Sequence, residues 1–260
     1  MKTKIFLPGL IVLIFLAPGC GSGGGFNLIS LEEEWQLGQQ LSADIARQMT
    51  IVQDPTVNQY VNRLGQSIVS KTSMANLPWN FHVVQSDEIN AFNIPGGHVY
   101  VTTGLINAAD QASELAGVMA HEIAHGVERH ATEQMSRSYG LSILAGVLLG
   151  QDPATYEQIL AQIIGGGALA SFSRDAERES DTLGVQWMTA AGYHPSGMAS
   201  MFETLLQNRQ RAPGAVDKFF GTHPLTESRI DSVNNQISKM NLPANLMRDE
   251  RSYQTVRSRV

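Results

Sequence analysis

The chain has 260 residues, 43% of them hydrophobic and 16% charged, with 24 acidic residues against 18 basic ones and a formal charge of −6. That balance argues against nucleic acid as a partner. The single cysteine excludes an internal disulfide framework, and the length suffices for one good core.

Residues 1–19 read as an export signal. Lys2 and Lys4 form a short positive region, and 5–17 is apolar apart from the interruption at Pro8 and Gly9. The run is too short for a comfortable spanning helix. It ends in Leu16-Ala-Pro-Gly-Cys20. This resembles a bacterial lipobox, with Ala17 where Leu is usual and Pro18 where a small residue is, and Cys20 as the lipidated first residue. Gly21 next to it makes the outer membrane of a Gram-negative cell the default destination. Each buried acyl methylene adds about 0.8 kcal/mol, so several chains anchor firmly. Residues 20–30 are a glycine-rich tether. Losing the signal leaves 16 of the 18 basic residues against 24 acidic ones, a charge of −8.

Residues 31–50 and 55–72 read as helices, with apolar stripes Trp35, Leu37, Leu41, Ile45 and Val57, Val61, Leu64, Ile68. Residues 79–84 and 91–102 read as strands of a small antiparallel sheet, with Pro95-Gly96-Gly97 as a turn. An exposed strand edge there can take an extended peptide as an added strand. His98 reads as a strand residue. Residues 112–130 lack proline and repeat apolar residues at Leu115, Met119, Ile123 and Val127, which predicts a helix. The stretch 136–170 is rich in Leu, Ile, Ala and Gly. Its apolar runs are too short or too interrupted to span a membrane, so it predicts two small-residue helices over the core or above a cleft. Another helical pattern opens at Arg174 and runs through Leu183, Gly184, Trp187, Met188 and Ala191. Residues 195–210 and 226–239 read as helices, and 241–260 as a surface tail.

The chemistry starts at His121-Glu122-Ile123-Ala124-His125, an H-E-x-x-H motif inside the 112–130 helix. Two imidazoles four residues apart share one helical face and can hold one metal ion. The glutamate between them is placed to act as general base. A catalytic zinc usually takes three protein ligands. The metzincin pattern fails, because Glu128 and Ala131 stand where it needs Gly and His. His130 is one position early and points to a different side of the helix. A carboxylate on a later segment is then required. Glu177 falls beside Gly184 and Met188 on the partly buried face, with Asp181 one turn on, able to accept the remaining ring N–H of a bound histidine. Glu179 is the rival ligand from another side of the same helix.

Four ordered segments resemble metallopeptidase family 48, the gluzincins that include HtpX-type, CAAX prenyl and OMA-type proteases. The closest likeness is to bacterial periplasmic, BepA-like or lipoprotein-like members. The segments are Asn90-Ala-Phe-Asn-Ile-Pro-Gly-Gly-His-Val-Tyr-Val-Thr-Thr-Gly-Leu105, His121 to His125, Ser173-Arg-Asp-Ala-Glu-Arg-Glu-Ser-Asp181 and Thr222-His-Pro-Leu-Thr-Glu-Ser-Arg-Ile230. The resemblance spans roughly 31–240. It implies that His121, His125 and Glu177 bind one Zn2+, that Glu122 is the catalytic base and that Asp181 orients a ligand. It also implies that His223, with Arg229 beside it, stabilises the oxyanion of the tetrahedral intermediate, or that His223 approaches the zinc at rest.

The expected architecture is therefore an α+β, mostly helical, zincin-like domain over 31–240 with a small antiparallel sheet beside the active helix. The expected function is a zinc endopeptidase of the cell envelope, periplasmic and lipid-anchored through Cys20, cutting unfolded or misassembled proteins. One alternative is a lipid-anchored chaperone-like module whose zinc is structural or self-blocked by His223. A weaker one is a carrier that sequesters zinc, in which Glu122 has no task.

Overall fold

The computed structural model describes residues 26–165 and 171–260. The expected export signal, Cys20 and most of the tether lie outside the described residues. Helix α1, Leu31–Gln48, starts at Ser30, whose hydroxyl accepts from the Glu33 amide at 3.2 Å while Glu33 accepts from the Ser30 amide at 2.8 Å. Its stripe Leu37, Leu41 and Ile45 is buried. Helix α2, Pro55–Val69, is capped by the Asp54 carboxylate and opens on proline, which has no amide hydrogen to satisfy.

Three strands follow: β1, Asn80–Val84; β2, Ala91–Ile94; and β3, His98–Thr102. Their order is β1-β3-β2. The β2–β3 hairpin is antiparallel, as its turn dictates: Gly96 and Gly97 adopt φ of 85° and 72°, which disfavour side chains. β1 pairs with β3 in parallel, so the sheet is mixed and not purely antiparallel. Residues 85–90 carry the chain to the far edge before the hairpin begins, and strand patterning does not encode that crossing. β2 is thereby left as an edge beside the next helix.

After α3, Thr103–Ala108, comes α4, Ala112–Val127. Glu114 reaches back to accept from the Asp110 and Gln111 amides at 2.6 and 3.2 Å, fixing where α4 starts. Every α4 residue except Gly126 is buried. The apolar stripe faces the core as expected. The other faces are buried too, because Ala116, Gly117, Ala120 and Ala124 let neighbouring helices approach. Helices α5, His130–Leu148, and α6, Pro153–Gly165, form the expected pair, with α5 interrupted at Gly140, and residues 166–170 of that stretch lie outside the described residues. Then come α7, Arg174–Ala190; α8, Ser196–Arg211; α9, Asp217–Thr222; α10, Glu227–Ser238; and α11, Arg251–Arg257. Among the described residues, no helix is long and apolar enough to cross a membrane.

The sheet separates two cores. Phe81, Val83, Val99 and Val101 face α2 and α4 in the larger one, which also takes in α7 and α8. Tyr100 and Ile94 face α1, α5 and α6 in the smaller one. The expected surface tail is instead packed: Tyr253 and Val256 of α11 are buried, and the Tyr253 hydroxyl lies 2.9 Å from the Ile106 carbonyl. Two buried positions in a seven-residue helix are too short a pattern to read as a packing face.

On the α1 side of the sheet, His82 and His98 sit 3.1 Å apart through ring nitrogens, and the Phe92, Tyr100 and His82 rings stack in a row. Burial, reinforced by His82, pushes His98 down to about 4. A histidine depressed when folded takes up its proton more readily when unfolded, so its contribution to stability falls as pH drops from about 6.5 toward 4. The loss from this residue is at most about 3 kcal/mol. Denaturant unfolding measured across that window is expected to show a shallower decline for His98→Gln than for the wild type; equal slopes would remove the pair from the account.

Candidate metal centre

α4 supplies the first two side chains. His121 and His125 are fully buried, and their Nε2 atoms face each other at 3.1 Å. α7 crosses α4 at Gly184, where an added Cβ would stand 3.2 Å from the His121 amide nitrogen. This close approach sets the carboxylates one and two turns earlier on α7 against the α4 histidines. Ser173 caps α7 by accepting from the Ala176 amide at 3.1 Å, which orients the first turn and Glu177. Glu177 Oε1 lies 3.3 Å from His125 Nε2, and Oε2 lies 3.5 Å from His121 Nε2. Asp181 Oδ1 lies 2.9 Å from His121 Nδ1, on the far side of that ring.

His223 joins them from the end of α9, where its amide donates to the Phe219 carbonyl at 2.8 Å and Pro224 prevents the helix from continuing. Its Nδ1 lies 3.2 Å from His121 Nε2 and 3.0 Å from Glu177 Oε1. Its Nε2 lies 3.4 Å from Glu122 Oε1. One ligand atom from each of His121, His125, Glu177 and His223 falls within 4.8 Å of all the others. A tetrahedral site with zinc–ligand bonds near 2.0–2.1 Å has edges of about 3.3–3.4 Å. Five separations of 3.0–3.5 Å among these nitrogens and oxygens come close to those edges, with Glu177 Oε2 meeting His121 and Oε1 meeting His125 and His223.

The charges agree with the distances. Glu122, Glu177 and Asp181 are buried around the rings, and one guanidinium, Arg229 of α10, accompanies them. Arg229 donates from Nε and Nη2 to Asp181 at 2.8 and 2.7 Å and pairs through Nη1 with Glu177. With all three carboxylates ionised and the imidazoles neutral, as metal ligation requires, the formal charge with this one guanidinium counted is −2, which a divalent cation would neutralise. Burial pushes Glu177 up, but His223, His121 and His125 outweigh it and hold the carboxyl far below its ordinary range. Asp181 is likewise held low against its burial, by Arg229 and His121. Burial pushes His121 down, yet Asp181 and Glu177 more than offset this and raise it to about 9. Burial pulls His125 well below its ordinary value. The two α4 imidazoles thus differ because only His121 has a carboxylate behind it.

Glu122 points the other way, toward the sheet. The Asn93 amide on β2 donates to Glu122 Oε2 at 3.2 Å, and the Asn93 side chain donates to the Glu122 carbonyl at 2.6 Å. Burial raises Glu122 above the usual carboxylate range, with His223 and His121 opposing. Asn93, Glu122, Ile163, Phe172 and His223 line a cavity of about 30 Å³ next to the quartet, room for about one water.

The structure thus brings His121, Glu122, His125, Glu177, Asp181, His223 and Arg229 into one buried cluster. Glu179 stays outside it, its side chain 43% exposed. His98 is on the opposite face of the sheet. Three neighbours carried no usable signal in the sequence. Asn93 sits in a short strand, Phe172 stacks on His125 at 4.1 Å from a loop, and Phe202 of α8 lies edge-on to His121 at 6.1 Å.

The sequence matches the model of peptidase family M48 over residues 55–237. It is 33% identical over 232 residues to the beta-barrel assembly-enhancing protease of Escherichia coli strain K12, covering 86% of this chain and 47% of that protein. Against the protein of the same name from Yersinia pestis it is 31% identical over 241 residues, covering 89% of this chain and 49% of the relative. It is also 30% identical over 215 residues to the mitochondrial metalloendopeptidase OMA1 of Schizosaccharomyces pombe, covering 80% of this chain and 62% of that protein. The chain spans about half the length of the bacterial relatives it matches. With its matched segment enclosing all seven clustered side chains, the chain belongs to peptidase family M48, a family of zinc metallopeptidases.

Proposed function

We propose that the protein is a zinc-dependent endopeptidase of the bacterial cell envelope that hydrolyses peptide bonds in unfolded or misassembled envelope proteins. The observation that carries this is the convergence of His121, His125 and Glu177 with a buried, raised Glu122 alongside. His121, His125 and Glu177 would hold zinc, which as a Lewis acid lowers the pKa of water toward ~7 and polarises a carbonyl. Glu122 takes the proton of the attacking water and returns one to the leaving amine. Its burial favours the protonated form, while His223 and His121 favour the ionised one. Asn93 fixes one carboxylate oxygen, so the other faces the reacting atoms.

Asp181 Oδ1, 2.9 Å from Nδ1, would hold His121 in the tautomer that leaves Nε2 free. Arg229 is read as a clamp on Asp181 and Glu177 in preference to an oxyanion donor, because three of its nitrogens already serve those two carboxylates. His223 occupies the fourth corner at rest and, once it turns away, serves the oxyanion. Its second nitrogen beside Glu122 supports this exchange. The edge of β2, whose Asn93 amide is already held by Glu122, would pair through its remaining outward groups with an extended substrate strand. Ile163 of α6 and Phe172 line the same cavity, whose volume of about 30 Å³ is too small for a peptide, so α5 and α6 would have to move.

The envelope assignment rests on the N-terminal pattern, which predicts export, lipidation at Cys20 and outer-membrane anchoring, and on the similarity to bacterial beta-barrel assembly-enhancing proteases. The small cavity and the position of His223 among the candidate ligand atoms also favour the second reading, a self-blocked, chaperone-like binding module.

Glu122→Gln separates the two readings. It is expected to keep one zinc per chain while lowering cleavage of an unfolded protein by at least about 100-fold. Undiminished cleavage would exclude Glu122 as base, and wild-type protein that suppresses aggregation without cutting would favour the binding module. For the ligand set, zinc stoichiometry is expected to drop in Glu177→Ala and to persist in Glu179→Ala; the reverse pattern would move the ligand. Arg229→Met strips the counter-charge from two buried carboxylates. Metal-free protein carrying it is expected to lose about 3–5 kcal/mol of stability in denaturant unfolding. A drop in turnover with stability unchanged would restore the oxyanion role.

A further inference from the structure

His130 and Glu179 have no task in the mechanism above, yet they continue the metal cluster outward. α4 ends at Val127, and the next turn is broken at Arg129, the only non-glycine residue with positive φ among the described residues, at 59°. Such a conformation persists only where the surroundings impose it. Here Arg129 Nε donates to the buried Glu34 at 2.5 Å and Nη2 donates to the Ile29 carbonyl at 2.5 Å. Thr132 donates to the same Glu34 oxygen at 3.2 Å. On an unbroken helix, His130 would point about 140° away from His125. The break lets α5 begin with the His130 ring turned inward, its Nδ1 2.9 Å from His125 Nδ1. On the other side of the ring, His130 Nε2 lies 3.3 Å from Glu179 Oε2. Ser180 Oγ approaches Nδ1 less closely, at 3.4 Å.

These contacts constrain where protons sit. His125 Nε2 faces the quartet, so cation binding requires its lone pair and puts the ring proton on Nδ1. That N–H can donate only if His130 Nδ1 accepts. His130 then carries its own proton on Nε2, where Glu179 accepts it. The first assignment fixes the second, and no other neutral arrangement satisfies both contacts.

We propose that His130 is a positioning residue of the metal centre. It locks His125 in the Nδ1-protonated tautomer, and Glu179, at the solvent boundary, locks His130 in the Nε2-protonated one. The two α4 ligands are thus backed by different devices: His121 by a carboxylate clamped by Arg229, and His125 by an imidazole tied to a half-exposed carboxylate. The proposal rests on the reading that His121, His125 and Glu177 bind zinc.

The test is zinc affinity by chelator competition for the full chain and for His130→Leu and His130→Asn, joined to 15N-histidine NMR of the zinc-loaded wild type. His130→Leu is expected to bind zinc about 10–100-fold more weakly. His130→Asn, whose side-chain carbonyl replaces the accepting Nδ1, is expected to return to within about threefold of wild type. The spectrum is expected to show His125 with its hydrogen on Nδ1. Equal affinities in Leu and wild type, equal weakening in Leu and Asn, or a His125 hydrogen on Nε2 would each overturn the proposal. The spectrum decides even if His130→Leu fails to fold. A wild type that binds no zinc at all would instead remove the underlying metal-site reading.

Discussion

Three carboxylates without solvent cannot share a protein core unless positive charge comes with them. Glu122, Glu177 and Asp181 meet this constraint through one guanidinium and a cluster of imidazoles. The remaining charge and the spacing of the ligand atoms both match a divalent ion. This explains why segments far apart in the chain must meet. The motif at 121–125 provides two candidate donors and the proposed base, but the counter-charge for its carboxylate partners arrives more than a hundred residues later, on α10. The α10 helix is thus part of the electrostatics of the site as well as of its packing.

The α4–α7 crossing turns that requirement into geometry. Gly184 allows α7 to approach the α4 backbone, and the residues one and two turns before it, Asp181 and Glu177, then fall against the two sides of His121. A larger residue at 184 would push α7 outward and take both carboxylates with it. α4 holds still because all of its faces are packed, by the sheet and α2 on one side and by α7 and α8 on the others. The ligands therefore sit on the most deeply buried helix of the domain. Under the proposed reading, the binding energy of an ion held there would add to the stability of the fold.

How much of this the sequence disclosed depends on whether a relation was local. The spacings of His121 with His125 and of Glu177 with Asp181 follow helical period, so one face could be read from each. The helices around them followed from stripes such as Leu37, Leu41 and Ile45. The parallel pairing of β1 with β3 was not legible, because it depends on the route of residues 85–90 rather than on alternation within a strand. Tyr253 and Val256 were hidden by the brevity of α11. His130 was misdirected for one specific reason: the expectation assumed an unbroken helix through 130, whereas the ion pair with Glu34 forces Arg129 into the left-handed region. A partner on α1, about a hundred residues away, is not visible from local pattern. Phe172 lies in a loop, where no periodicity exists to place it.

The same cluster also bears on what could serve as a substrate under the proposed reading. In this closed arrangement His223 spends one nitrogen on the ligand atoms and the other on Glu122, so moving its ring frees a ligand position and the base together. One side chain therefore couples access with activation. A peptide that adds to the β2 edge must offer its own backbone groups, which a folded segment has already paired internally. An unfolded segment has those groups free, and its pairing energy is available to displace the ring and the helices that cover the cavity. Discrimination would then come from the state of the chain offered and not from its side chains, because only an extended strand supplies the interaction that opens the site.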